Sequence, residues 1–341
     1  GRLCSSSAGS LMANLAREPD KTVLTTLDDF GRVGVGIHQV EYSTGTGFEI
    51  PVIHIFGRDL SGTAVRVDVT GFRPYFYAPA DQVDGKPLPE GVEVEPGTTY
   101  RSIQGEPLRR LYTRRPSDVR DVRDKFAPHF EADIPFTTRF MIDCGLTGGV
   151  EVPANAARSP DGALVVAYQD LKPADVKAPA RVCIMDIECV DERGFPEPER
   201  DPVIAVTCWD SFRDDYTTLL WQPGVEPGDA PEFRINDRHS VLRYPDEISM
   251  FRGLADYIKE RDPDILSGWN FVDFDIPYII RRMAALGLRA EDLARLPGRT
   301  ERDAIRGRAV FDLLAAYRKM HQAQKESYRL DAIAGEELDV T

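Results

Sequence analysis

Asp186 and Glu188 lie two residues apart in Arg181-Val-Cys-Ile-Met-Asp-Ile-Glu-Cys-Val190, a run that otherwise reads as a buried strand. On a strand, residues i and i+2 point to the same face. Two carboxylates therefore project side by side from an apolar strand. As bare anions they would repel each other and lose hydration, so they need protons or a cation. Mg²⁺ or Mn²⁺ suits them, because both ions favour carboxylate oxygen and water. A third acid, Asp275, ends Trp269-Asn-Phe-Val-Asp-Phe-Asp275, which follows a short strand and leads into a helix. Asp275 falls at or near the helix N-cap, where a carboxylate also has a purely structural use. Each element alone is a common pattern. Their combination is not.

The elements that must position these acids can be read from periodicity. Strands are expected at 181–189, 203–209 and 216–221. A helix follows, with Asp246 and Glu247 near its start and Met250, Phe251, Leu254, Tyr257 and Ile258 on one face. Asp264 to Gly268 reads as a strand. Asp275 to Leu286 reads as a helix with Pro277 in its first turn, where proline is tolerated. Arg308 to Leu314 is strand-like. Three strands, helix, strand, helix is the order of an α/β ribonuclease-H-like fold, expected over residues 181–341.

Upstream, residues 1–30 are small and polar and are expected to be flexible. Residues 31–150 read as an α+β domain. Short β runs at Pro51–Phe56 and Ala64–Val69 flank a hairpin loop at Gly57–Gly62. Phe72-Arg-Pro-Tyr-Phe-Tyr77 adds an aromatic strand whose Pro74 belongs at an edge or bend. A helix is expected from Pro116, with Val119, Val122 and Phe126 on one face. Residues 151–180, rich in Ala and Pro, read as a connector with one strand at Ala163–Tyr168.

Composition narrows the class. A chain of 341 residues with 42 % apolar content can build two domains, each with a core. No apolar run approaches a membrane span, so no membrane partner is expected. Five scattered cysteines fit a reducing, cytoplasmic setting better than a disulfide framework. No signal peptide is visible, and a start at Gly1 suggests a fragment or processed product. The net charge of −14 taken alone argues against a nucleic-acid partner. Yet the basic residues are 34 Arg against 8 Lys. Abundant acid and Arg with little Lys fits a salt-rich cytoplasm, where screening weakens repulsion from phosphates. A GC-rich genome would also favour Arg.

The motifs resemble one family. Phe56-Gly-Arg-Asp59, Phe72 to Tyr77, Ala132-Asp-Ile-Pro-Phe-Thr-Thr-Arg139, Met185-Asp-Ile-Glu188, Asp262-Pro-Asp-Ile265, Asn270 to Asp275 and Phe311-Asp-Leu313 occur in the order found in archaeal family B DNA polymerases. The likeness is greatest to the haloarchaeal ones and covers the amino-terminal and 3′–5′ exonuclease portion. It implies that Asp186 and Glu188 form the first exonuclease motif and Asp275 the second. Together they would hold two Mg²⁺ or Mn²⁺ ions for hydrolysis of the last phosphodiester of a single-stranded 3′ end. It also implies that Asn270 and Phe274 position the 3′-terminal nucleotides. Tyr42, Pro74, Val119, Phe136 and Arg139 match a template pocket that captures uracil. The implied partners are DNA, as 3′ end and template, and the palm, fingers and thumb in cis or on another chain. The family's third motif, Tyr-x-x-x-Asp, would fall past Thr341. Tyr317 and Tyr328 lead to His321 and Ala332 instead. A catalytically silent, DNA-binding piece of a split or truncated polymerase is the alternative expectation.

Overall fold

The computed structural model describes residues 31–44, 50–192, 194–225, 232–298, 304–321 and 324–338. The expected flexible segment 1–30 lies outside them. The described chain divides into two compact units between Pro179 and Ala180.

The first unit holds a seven-stranded sheet and a four-stranded sheet. Arg32–Ser43, Val52–Arg58 and Ala64–Thr70 form an antiparallel meander at the centre of the larger sheet. Gly57 is required there, because a Cβ on it would stand 1.9 Å from the Gly36 carbonyl oxygen of the next strand. The turn into Ala64–Thr70 is narrower than expected. Gly57 and Arg58 stay in the strand, and Asp59 accepts the Ser61 and Thr63 N–H groups to close it.

Residues 151–180 are not a connector. Gly149–Pro153 and Lys172–Pro173 pair along one side of this sheet, and Leu164–Ala167 runs parallel to Ala64–Thr70 on the other. Val150, Val152, Leu164 and Val166 are buried in its core. Their partners lie about a hundred residues upstream, beyond the reach of local periodicity.

In the smaller sheet, Tyr75–Pro79 pairs with Pro107–Tyr112, and Pro74 sits at the bend before it, accepting the Thr113 N–H. The expected helix is Pro116–Arg123, and Val119, Val122 and Phe126 pack against Phe76 and Leu111. A second helix, Phe136–Asp143, buries Phe136, Arg139 and Phe140.

The second unit carries the paired carboxylates, and its elements are numbered from its own start. They are β1 (Val182–Cys189), β2 (Val203–Asp210), β3 (Asp215–Trp221), β4 (Glu232–Asn236), β5 (His239–Tyr244), α1 (Glu247–Arg261), β6 (Ile265–Gly268), α2 (Asp275–Ala285), β7 (Ala309–Asp312), α3 (Leu313–Met320) and α4 (Leu330–Leu338). The sheet order is β4-β5-β3-β2-β1-β6-β7. The first three strands pair antiparallel, whereas β1, β6 and β7 run parallel. With the β4–β5 hairpin set aside, this is the ribonuclease-H-like arrangement. The hairpin, α3 and α4 go beyond the elements read from sequence.

Alternation along β1 does what the spacing requires. Cys183, Met185 and Ile187 are buried, while Asp186 and Glu188 face outward. α1 starts on Asp246, whose carboxylate accepts the Ser249 N–H at 2.7 Å. It packs Met250, Phe251, Leu254 and Ile258 into the core with Met185, Leu219 and Ile279. Asp262 ends the helix in the left-handed region, at φ 44°. Asp262 and Asp264 then meet Arg295 and Arg308 in a buried ionic network, which ties the segment before β7 to the start of β6.

Candidate active site

β6 pairs with β1 only along Val182–Ile184. Beyond that point the edge of β1 is bare, and α2 begins beside it. Asp275 is the first residue of α2, and its Oδ1 accepts the Ile187 N–H at 3.2 Å. An ordinary cap would have turned this carboxylate back onto its own helix. Instead Phe274 occupies the cap position without a side-chain cap, and Asp275 reaches the strand that carries Asp186 and Glu188. A contact across 88 residues thus brings Asp275 to the strand that carries the other two acids.

Their electrostatics reflect the crowding. Asp275 is 3 % exposed. Burial, and then the charge of Asp186, push its carboxyl up to about 8, although the Ile187 N–H works in the opposite sense. Asp186 reaches solvent, but protein surrounds most of it. Desolvation, and then Glu188, raise it to about 6. Among the described residues, no three His, Cys, Asp or Glu side chains converge into a cluster ready to hold an ion. The donor set still fits a hard divalent cation. Burial and neighbouring carboxylates raise Asp186 and Asp275, and oxygen-preferring ions relieve both costs.

The turn between β6 and α2 carries Asn270 and Phe274. Asn270 adopts φ 62°, a conformation Asn tolerates better than most residues, and its carbonyl accepts the Phe274 N–H at 3.0 Å. Asp312 supports this turn. One oxygen accepts the Val272 N–H and the other caps α3 through the Ala315 N–H, both at 2.9 Å. The charge of Asp312 also contributes to the raised Asp275 carboxyl. The Phe274 ring packs 5.6 Å from Tyr278 and edge-on, 5.7 Å, from Phe195. Phe195 is 79 % exposed on the loop after β1. Sequence reasoning missed Phe195, Tyr278 and the supporting role of Asp312. An aromatic in the Gly- and Pro-containing loop after the paired acids was the available signal for Phe195.

In the first unit, the Tyr42 ring meets Phe136 edge-on at 5.3 Å. Arg139, one turn along the same helix, lies over Tyr75 at 4.8 Å and pairs with Glu131 at 2.7 Å. Pro74 is buried immediately before Tyr75. Val119 packs in a separate apolar cluster around Phe76 and Leu111. Tyr42 and Phe136 are therefore in contact, and Tyr75 links Pro74 to Arg139, while Val119 belongs to another layer.

Comparison with known proteins bears on this arrangement. Residues 128–333 match the model described as DNA polymerase family B, exonuclease domain. The chain is 27 % identical over 358 residues to the DNA polymerase delta catalytic subunit of Oryza sativa subsp. japonica, covering 83 % of this chain and 32 % of that protein. It is 27 % identical over 371 residues to the same subunit of Bos taurus, covering 84 % and 32 %. The chain thus spans about a third of the length of these relatives. A solved structure of the family B DNA polymerase from the hyperthermophilic archaeon Pyrobaculum calidifontis is similar with a TM-score of 0.63 and 28 % identity, over 82 % of this chain and 36 % of that one. With a ribonuclease-H-like sheet, acids on β1 and at the head of α2, and a family match over more than half its length, the chain belongs to the family B DNA polymerases through their exonuclease domain.

Proposed function

We propose that the second unit hydrolyses the terminal phosphodiester of a single-stranded or frayed DNA 3′ end, as the proofreading segment of a replicative family B DNA polymerase. The observation that carries this reading is the reach of Asp275 to β1, the strand on which Asp186 and Glu188 share one face. Asp186, Glu188 and Asp275 would hold Mg²⁺ or Mn²⁺. Such ions lower the pKa of an attacking water and stabilise the leaving 3′ oxygen. Around them the chain's own groups orient the strand. Phe274 and exposed Phe195 form an aromatic ledge on which terminal bases can stack, and the turn that carries Asn270 leads into it. A mispaired terminus unpairs at lower cost than a paired one, so it reaches this ledge more often.

For the first unit, the proposed role is template recognition through a pocket built on Tyr42, Pro74, Val119, Phe136 and Arg139. The contact of Tyr42 with Phe136 supports it. Palm, fingers and thumb would be supplied in cis or by a separate chain. An archaeal, salt-adapted, cytoplasmic source accords with the charge of −14 and the Arg excess. No described helix is long and apolar enough to cross a membrane.

A 3′-labelled single strand incubated with the chain, Mn²⁺ and high salt tests the reading. Release of mononucleotides is expected from the wild type and not from Asp186→Ala. Equal release from both would remove Asp186 from the reaction. A second reading is favoured by one observation: no described acidic cluster is ready to hold an ion. It makes the chain a DNA-binding piece without catalysis. Retention of the labelled strand without cleavage, with Mg²⁺ or Mn²⁺ present, would select it.

A further inference from the structure

The loop that presents Phe195 is held from beneath by α2. Tyr278 Oη donates to the Asp201 carbonyl at 2.8 Å. One turn on, Arg282 makes a two-pronged pair with Glu247 of α1, with Nε to Oε1 at 2.8 Å and Nη2 to Oε2 at 2.6 Å. Its remaining Nη1 donates to the Pro198 carbonyl at 3.1 Å. Glu247 in turn accepts the Val203 N–H at 2.8 Å, where the loop re-enters β2. Within the loop, Asp201 accepts the Glu197 N–H at 2.9 Å. Tyr278, Arg282 and Glu247 are all buried, at 3 %, 9 % and 6 % exposure. A surface loop does not need three buried polar side chains to close it. Breaking either partner of a buried pair leaves a costly unpaired charge, so the sequence commits stability to fixing this loop.

What the clasp fixes is next to the candidate site. Tyr278 uses both ends of its side chain. Its hydroxyl holds the loop at Asp201, and its ring packs 5.6 Å from Phe274, which meets Phe195. The same helix starts with Asp275. Carboxylate and aromatic ledge are therefore referenced to one rigid element, and the distance from stacked base to scissile phosphate is set by α2.

We infer that Tyr278, Arg282 and Glu247 are positioning residues that lock residues 194–202, and with them Phe195, against α2 so that a DNA 3′ end is held in register with Asp186, Glu188 and Asp275. This rests on the nuclease reading above. The test is a double-substitution cycle, with the labelled single strand, Mn²⁺ and high salt as before. Tyr278→Phe keeps the ring and removes the contacts of the hydroxyl, with the Asp201 carbonyl and with the Cys189 thiol. KM for the strand should rise about 10-fold with kcat within about 2-fold. Phe195→Ala should raise KM similarly, and adding Tyr278→Phe to it should change KM by less than about 2-fold. Arg282→Met should follow the same pattern, and Arg282→Lys should recover part of the loss.

Phe195→Trp supplies a readout that needs no DNA. Its fluorescence anisotropy should fall on Tyr278→Phe. Equal KM effects of Tyr278→Phe with and without Phe195, or unchanged anisotropy, would overturn the inference. If Phe195→Ala leaves KM unchanged while Tyr278→Phe lowers the anisotropy, the clasp stands and the stacking role of the loop in the nuclease reading fails.

Discussion

Asp275 spends one carboxylate oxygen on the Ile187 N–H, a backbone group between the two residues that carry the other acids. The bond works as a gauge. It fixes the head of α2 against β1, so the spacing between Asp275 and the Asp186–Glu188 pair does not depend on loop conformation. It also lowers the cost of ionising Asp275 at the moment a cation arrives.

Removing either acid should therefore abolish catalysis without unfolding the unit. Asp186→Ala and Asp275→Asn are each expected to lower kcat on a single-stranded 3′ end by roughly 10³-fold. Far-UV circular dichroism should remain that of the parent. A loss below about 10-fold for both would show that the reaction takes place elsewhere.

The raised carboxyls predict an unusual pH dependence. Asp275 goes from an ordinary value of 3.8 to about 8 in the folded chain. A pKa raised by folding means that the folded state holds the proton more tightly. The associated stability is complete below the unfolded value and is lost as pH rises through the folded one. Metal-free protein should thus lose stability between about pH 4 and pH 8, at up to about 1.4 kcal/mol per pH unit from this group. Urea midpoints at pH 5 and pH 8 measure it. Asp275→Asn should flatten the slope, and millimolar Mg²⁺ should restore the midpoint at pH 8 in the parent only.

Arg308 should be among the most sensitive positions for folding. It donates to Asp262 at 2.8 Å, to the Leu293 carbonyl at 3.0 Å, and to the Pro263 carbonyl. Arg308→Met keeps much of the volume but removes the guanidinium from Asp262. A loss of about 3–5 kcal/mol is expected in urea unfolding. Arg308→Lys should fall between the two, since an ammonium cannot reproduce the fork.

Asn270 allows stability to be separated from DNA contact. At φ 62° an alanine is strained by about 1–2 kcal/mol, whereas glycine is not. Asn270→Gly should leave the thermal midpoint within a few degrees of the parent. If the amide contacts the strand, KM for DNA should rise severalfold in Asn270→Gly. An unchanged KM would reduce Asn270 to a turn residue.

Much of the second unit was legible locally. The strand at Val182–Cys189, the amphipathic helix after Asp246 and the helix with Pro277 all follow from period and cap chemistry, which act over a few residues. The placement of Asp186 and Glu188 on one strand face and of Asp275 at a helix head was legible for the same reason. The strand at Gly149–Pro153 was hidden because only its distant partner, Arg32–Gly36, makes it one, and Lys172–Pro173 becomes a strand only once Gly149–Pro153 is in place. Phe195 and Tyr278 were hidden as well. Their contacts cross from a loop to a helix about 80 residues away.

The sequence by itself determined that Asp186 and Glu188 share one face of an apolar strand, since the period of a strand leaves no other outcome. It also determined that Asp275 stands at the head of a helix. Only the tertiary structure decided what Asp275 does there. β6 ends early, the edge of β1 is left open, and a buried N–H requires an acceptor. Local chemistry would have turned that carboxylate onto its own helix. The unpaired strand edge drew it across to the other two acids.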